Sequence, residues 1–116
     1  MATPPPESLS PDNAFDLLSN PERRCLLYVL WDHEGGIDDL SLARQVVARQ
    51  RNVAPEAVHD EDVERALVGL RHAHLPKLAE AAVVQYDTGT GEASLGAAVD
   101  DVLPLLQYAQ PAEDWY

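Results

Sequence analysis

Asp60-Glu61-Asp62-Val63-Glu64-Arg65-Ala66-Leu67-Val68-Gly69-Leu70-Arg71-His72-Ala73-His74-Leu75-Pro76-Lys77-Leu78-Ala79-Glu80-Ala81, run straight into Ala82-Val83-Val84-Gln85-Tyr86-Asp87, is the stretch on which the fold turns. Val63, Leu67, Leu70, Leu75 and Leu78 recur close to every 3.6 residues, which predicts a long helix from Asp60 to about Ala81 with one buried face. Pro76 lies inside it, removes a helical hydrogen bond and disfavours helix at Leu75, so a kink or one-turn restart is expected there. Val83 to Asp87 then reads as a strand, Thr88-Gly89-Thr90-Gly91 as its turn and Glu92 to Leu95 as the return strand.

Upstream, Asn20-Pro21-Glu22 is a helix start: a capping side chain, a proline at the first position and an acid at the positive end. That helix should run from Pro21 to about His33 and stop at Gly35-Gly36, with Ile37 a short extended residue after it. Asp38-Asp39 can cap the next helix, which carries Leu40, Leu42, Ala43, Val46 and Val47 to roughly Arg49. Asn52 to Pro55 breaks it, with one helical turn expected between Pro55 and Val58. A short helix opens at Pro11, and a last apolar one, Ala97 to Ala109, is interrupted by Pro104.

The expected fold is therefore mainly α with a small two-stranded β-hairpin, in the order of a winged helix-turn-helix domain. Residues 1–10 read as a disordered Pro-rich leader, 11–96 as the winged-helix domain, and 97–116 as a C-terminal helix and tail.

Twenty acids against eight bases, only one of them lysine, give a formal net charge of -12 over 116 residues. Such a surface repels itself in dilute buffer and needs counterions to stay compact, a balance that suits a halophile. Hydrophobic residues at 46% leave enough for a core of small side chains. Cys25 is the single cysteine and sits in an apolar run, so it reads as a buried apolar residue. No apolar stretch reaches a membrane span and the N-terminus lacks the blocks of a signal peptide, so a soluble cytoplasmic protein is expected.

Two segments carry a resemblance. Phe15-Asp16-Leu17-Leu18-Ser19-Asn20-Pro21-Glu22-Arg23-Arg24 resembles the opening of archaeal winged-helix transcriptional regulators. His74-Leu75-Pro76-Lys77-Leu78 followed by Ala81-Ala82-Val83-Val84-Gln85-Tyr86-Asp87 resembles a family of small haloarchaeal winged-helix domains whose role is largely uncharacterised. The match covers about residues 12–95. Where that family usually has glycine, this chain has Ala82, so its helix exit is expected to differ. The resemblance implies the fold and lineage, and DNA binding by association only.

Two functions stay open: a DNA-binding transcriptional regulator, and a protein–protein interaction module without DNA binding. For duplex DNA the candidate residues are Arg44, Arg49, Arg51, Arg65, His72 and Lys77, where a long helix would lie in the major groove. Against them, the long helix has a formal charge of −2, and Asp87 to Glu92 in the hairpin carries two acids and no base. A homodimer is expected through Phe15, Leu18, Val99, Val102, Leu103 and Leu106, unless that segment folds back over its own core.

No enzyme, cofactor or metal is expected. His72 and His74 are two residues apart, the wrong helical spacing for a zinc pair, and the Gly89-Thr90-Gly91 turn lacks the strand-loop-helix context of a phosphate loop. His74 is expected to be partly buried and bonded to backbone near Pro76, with His72 exposed.

Overall fold

The computed structural model describes residues 9–113. The chain is mainly helical with one small antiparallel sheet. Helix α1 (Pro11–Leu18) is capped by Ser10, whose hydroxyl accepts from the Asn13 amide, and Leu9 packs against the core. Ordered structure thus begins before the expected end of the leader; the rest of that leader, and the tail from 114, lie outside the described residues. Helix α2 (Pro21–Asp32) starts as expected, with Asn20 accepting from the Glu22 and Arg23 amides.

Strand β1 (Ile37–Asp38) leads into helix α3 (Asp39–Arg51), which Asp38 caps through the Ser41 amide. Asn52, at φ 54°, closes α3 in the left-handed conformation that asparagine tolerates. A 3₁₀ turn (Pro55–Ala57) precedes helix α4 (Asp60–Gly69). The hairpin strands β2 (Val84–Tyr86) and β3 (Glu92–Leu95) pair in antiparallel register, Val84 with Leu95 and Tyr86 with Ala93.

Three expectations are corrected and a fourth is sharpened. The sheet has three strands, in the order β1-β3-β2, because Ile37 pairs with Ala93 and Asp38 with Glu92 along the free edge of β3. An unpaired edge leaves backbone donors and acceptors open, and two residues of β1 close part of it. At Pro76 the expected restart is found, and its form is a π turn (Leu70–His74), where the Leu75 amide donates to the Leu70 carbonyl, leading into helix α5 (Leu75–Glu80) with Pro76 in its first turn. The proline has no amide for the His72 carbonyl and would crowd it in an α-helix, and the wider turn relieves that conflict. Helix α6 (Val99–Ala109) runs unbroken through Pro104, where Asp100, whose helical bond the proline removes, is exposed to water. Leu40, read as part of the apolar face of α3, is 48% exposed.

Ala82 adopts φ 60° between α5 and β2, the left-handed exit that glycine would take without strain. Its carbonyl accepts from the Ala98 amide, and a Cβ on Gly96 would lie 2.3 Å from that same oxygen. The backbones cross too closely there for any side chain at Gly96.

One core holds these pieces together. Leu26, Leu27 and Leu30 of α2, Leu42 of α3, Leu70, Leu75 and Leu78 of the long helix, and Val102 of α6 are essentially inaccessible. Each is worth about 1.5–3 kcal/mol of burial. Cys25 is fully buried, with its thiol 3.6 Å from the Val46 carbonyl.

Candidate functional site

The chain has eight lysine and arginine side chains, and each is engaged within the molecule. Arg23 and Arg24 of α2 reach back over the end of α1. Arg23 donates to the Leu17 carbonyl (2.6 Å) and the Asp16 carbonyl (3.0 Å), and Arg24 to the Leu18 carbonyl. These are the carbonyls that a helix end leaves open.

The sequence-predicted arginines divide into two groups. Arg44, Arg51 and Arg65 gather at the start of α4. Arg44 donates to the Val58 carbonyl (2.9 Å) and pairs with Asp60 at 2.6 Å, which fixes the turn leading into α4. Arg51 and Arg65 share the carboxylate of Asp62, at 2.7 and 3.1 Å. The Arg51 hydrogen bond chiefly holds the Asp62 carboxyl below its ordinary range. Arg49 does not join them. It turns to α2, pairs with Asp32 at 2.8 Å and lies over the Tyr28 ring at 5.4 Å.

Of the other two candidates, His72 is exposed and Lys77 pairs with Asp16 of α1 at 2.9 Å. That pair, mainly by its hydrogen bond, lowers the Asp16 carboxyl. His74, expected to be partly buried, is buried, and its Nε2 meets the Glu22 carboxylate at 3.2 Å and not the backbone near Pro76. The π turn, absent from the sequence reading, sets where that ring points.

A network that the sequence reading did not single out lies between α3, the π turn and the hairpin. Asp39, 4% exposed, accepts from Arg71 Nε (2.8 Å), Arg71 Nη2 (3.1 Å) and the Tyr86 hydroxyl (2.8 Å). The bidentate Arg71 fork is the main cause that depresses the Asp39 carboxyl, against the opposing effect of burial. Burial first, then the bond to Asp39, raises the Tyr86 phenol. The Asp39 amide donates to the Gly91 carbonyl at 2.8 Å, so one residue ties helix, π turn and hairpin loop. Gly91 is at φ +78°, and a Cβ there would come within 3.1 Å of the Asp39 carboxylate. The available signal was the Asp38-Asp39 pair. Only one residue can occupy a cap position, and the second acid at the helix start is left for another task.

The hairpin loop presents acid outward. Asp87 accepts from the Gly89 amide (2.8 Å) and the Thr90 amide (3.2 Å), and Glu92 is exposed. An open cleft beside it is lined by Asp39, Arg71, Tyr86, Thr88, Gly89, Thr90 and Gly91. Its one cation is the arginine already held by Asp39. No group of three or more His, Cys, Asp or Glu among the described residues is arranged to hold a metal ion.

The expected dimer residues are mostly consumed by the chain's own core. Leu18, Val99, Val102 and Leu106 are buried where α6 packs on α1 and α2, and Leu103 is half-buried. Phe15 remains 57% exposed. The Tyr28 hydroxyl donates to the Leu106 carbonyl at 3.4 Å and fastens α6 to α2. No helix of the described residues is long and apolar enough to cross a membrane.

No curated protein and no solved structure matches this chain. The profile of a family described as "Domain of unknown function (DUF7344)" matches residues 15–94, which run from within α1 into β3 and include the arginine cluster and the Asp39 network, and the chain therefore belongs to that family.

Proposed function

We propose that the chain is a cytoplasmic winged helix-turn-helix domain of a halophilic archaeon that serves as a protein–protein interaction module and does not bind DNA. The element order α2-β1-α3-α4-β2-β3, with β1 closing a three-stranded sheet on β3, supports the winged-helix reading. The observation that carries the functional reading is the commitment of all eight cations inside the chain: six to carboxylates, and Arg23 and Arg24 to the carbonyls ending α1. A DNA-binding surface draws its affinity from cations that neutralise phosphates. Here the recognition-helix end carries Asp60, Glu61 and Asp62, and the hairpin loop carries Asp87 and Glu92.

Genome-wide capture of DNA crosslinked to the protein in its host, at native salt, tests this. No enrichment at any locus is expected, and reproducible enrichment at discrete loci would overturn it. Lineage has its own check. Thermal stability should rise strongly from low to molar KCl as counterions screen the carboxylates, whereas a flat dependence would contradict a halophilic origin.

The second reading, a DNA-binding transcriptional regulator, is favoured by one observation: Arg44, Arg51 and Arg65 do converge at one end of α4. In that reading phosphates would displace Asp60 and Asp62 from them. Exposed ion pairs are weak enough to exchange, so the electrostatic field of the intact chain decides between the two readings.

A further inference from the structure

The seam between α2 and α6 carries a different surface. Trp31, in the last turn of α2, is 50% exposed although it is the largest apolar side chain of that helix. It lines a groove with Leu103, Leu106, Gln107 and Gln110 from α6 and its continuation, over Tyr28, with Asp32 at the rim. On α6, Asp100 and Leu103 are three residues apart and share a stripe, so a second exposed acid flanks the apolar centre. No lysine or arginine lines the groove, although Arg49 beside it holds one Asp32 oxygen at 2.8 Å and leaves that carboxylate's side chain 61% exposed. A half-exposed tryptophan beside leucine, ringed by polar groups, is the composition of an interface anchor.

We infer that this Trp31–Leu103 groove docks a basic amphipathic segment of another protein, whose apolar side chains enter the groove and whose Lys or Arg residues meet Asp32 and Asp100. Charge selects this occupant. A second copy of the chain would set the same acids against Asp32 and Asp100, so like charges would meet at contact. A cationic helix gains, at contact, the attraction that a second copy lacks. Gln107 and Gln110 then supply neutral hydrogen-bonding groups along the groove.

The inference rests on the interaction-module reading and names its partner class. The probe is a synthetic amphipathic Leu/Lys helix of about 18 residues, long enough to be helical when bound, with a Leu/Glu counterpart as control. Trp31 fluorescence reports binding in full-length protein carrying Trp115→Phe, which removes the second indole. The Leu/Lys helix should bind and blue-shift Trp31, and the Leu/Glu helix should not. Leu103→Asn should weaken binding at least ~10-fold, and Asp100→Asn, on an exposed side chain, about 3-fold. Val68→Asn, on the exposed face of α4, should leave it unchanged.

Equal binding of the two helices, or equal loss from Leu103→Asn and Val68→Asn, would overturn the inference. So would a concentration-dependent dimer in sedimentation that Leu103→Asn abolishes. Failure of the peptide test without DNA enrichment removes the groove alone, whereas enrichment on DNA removes the module reading itself.

Discussion

Asp39 and Asp62 mark opposite ends of α3, Asp39 as its first residue and Asp62 through its pair with Arg51, the last, and they do different work. Asp39 is buried, bidentate to Arg71 and also bonded to Tyr86. Asp62 bridges Arg51 and Arg65, which are half-exposed and largely exposed. Water and salt reach the second group through its open arginines and hardly reach the carboxylate of the first. The buried carboxylate therefore sets geometry, fixing the hairpin against the long helix. Asp62, half-buried between two more open arginines, sets potential, cancelling two positive charges where a nucleic acid would need them.

The largest effect that tests this contrast is Asp39→Ala. It strands the Arg71 fork and the Tyr86 hydroxyl together and should cost about 2 kcal/mol in urea unfolding, less than a fully buried pair because Arg71 still reaches water. A cost no larger than that of a surface substitution would remove the distinction.

The pH dependence sharpens it. The folded Asp39 carboxyl titrates below the unfolded one, so its contribution is present above the unfolded range near pH ~3.9 and is lost as pH falls through the lower folded value. Asp39→Asn should flatten the acid limb of the stability curve in moderate salt. Asp62→Asn, whose pair is screened, should flatten it much less, and equal flattening would erase the contrast.

Tyr86→Phe removes one hydrogen bond from the buried group and should cost about 1 kcal/mol, again read from urea midpoints. Ala82→Gly acts on the connection between the long helix and β2. Relief of the left-handed alanine should exceed the entropy lost in the unfolded chain and stabilise by about 0.5 kcal/mol; destabilisation would show that the φ of 60° carries no strain. Smallest of all, Asp62→Asn should leave the urea midpoint in place.

Most of the helices were readable from the sequence because their signals are local. Asn20-Pro21 and Asp38 act as the expected caps, and Val63, Leu67, Leu70, Leu75 and Leu78 follow the helical period through α4, the π turn and α5. The third strand was not legible, since two residues have no period and β1 exists only because β3 offers it an edge. The π turn was half legible. Pro76 announces that an α-helical bond must fail, but whether the chain kinks or widens depends on the packing of Leu70 and Leu75. In the site, the arginine cluster was visible as residue types, while its neutralisation was not. Asp60 and Asp62 belong to the next helix, and only the fold brings them to Arg44 and Arg51. The Asp39 network joins residues 32 and 47 positions apart, a distance over which spacing carries no information.

The central claim is that carboxylates, and not a lack of arginines, keep this surface from DNA. Anisotropy titration of a labelled duplex with the wild type and with the Asp60→Asn/Asp62→Asn variant, at the lowest KCl that preserves the native far-UV spectrum, tests it directly. The wild type should show no binding. The variant, with Arg44, Arg51 and Arg65 released, should bind with an affinity that falls with salt as expected for about two to three neutralised phosphates. Binding by the wild type that the variant does not improve would contradict the account.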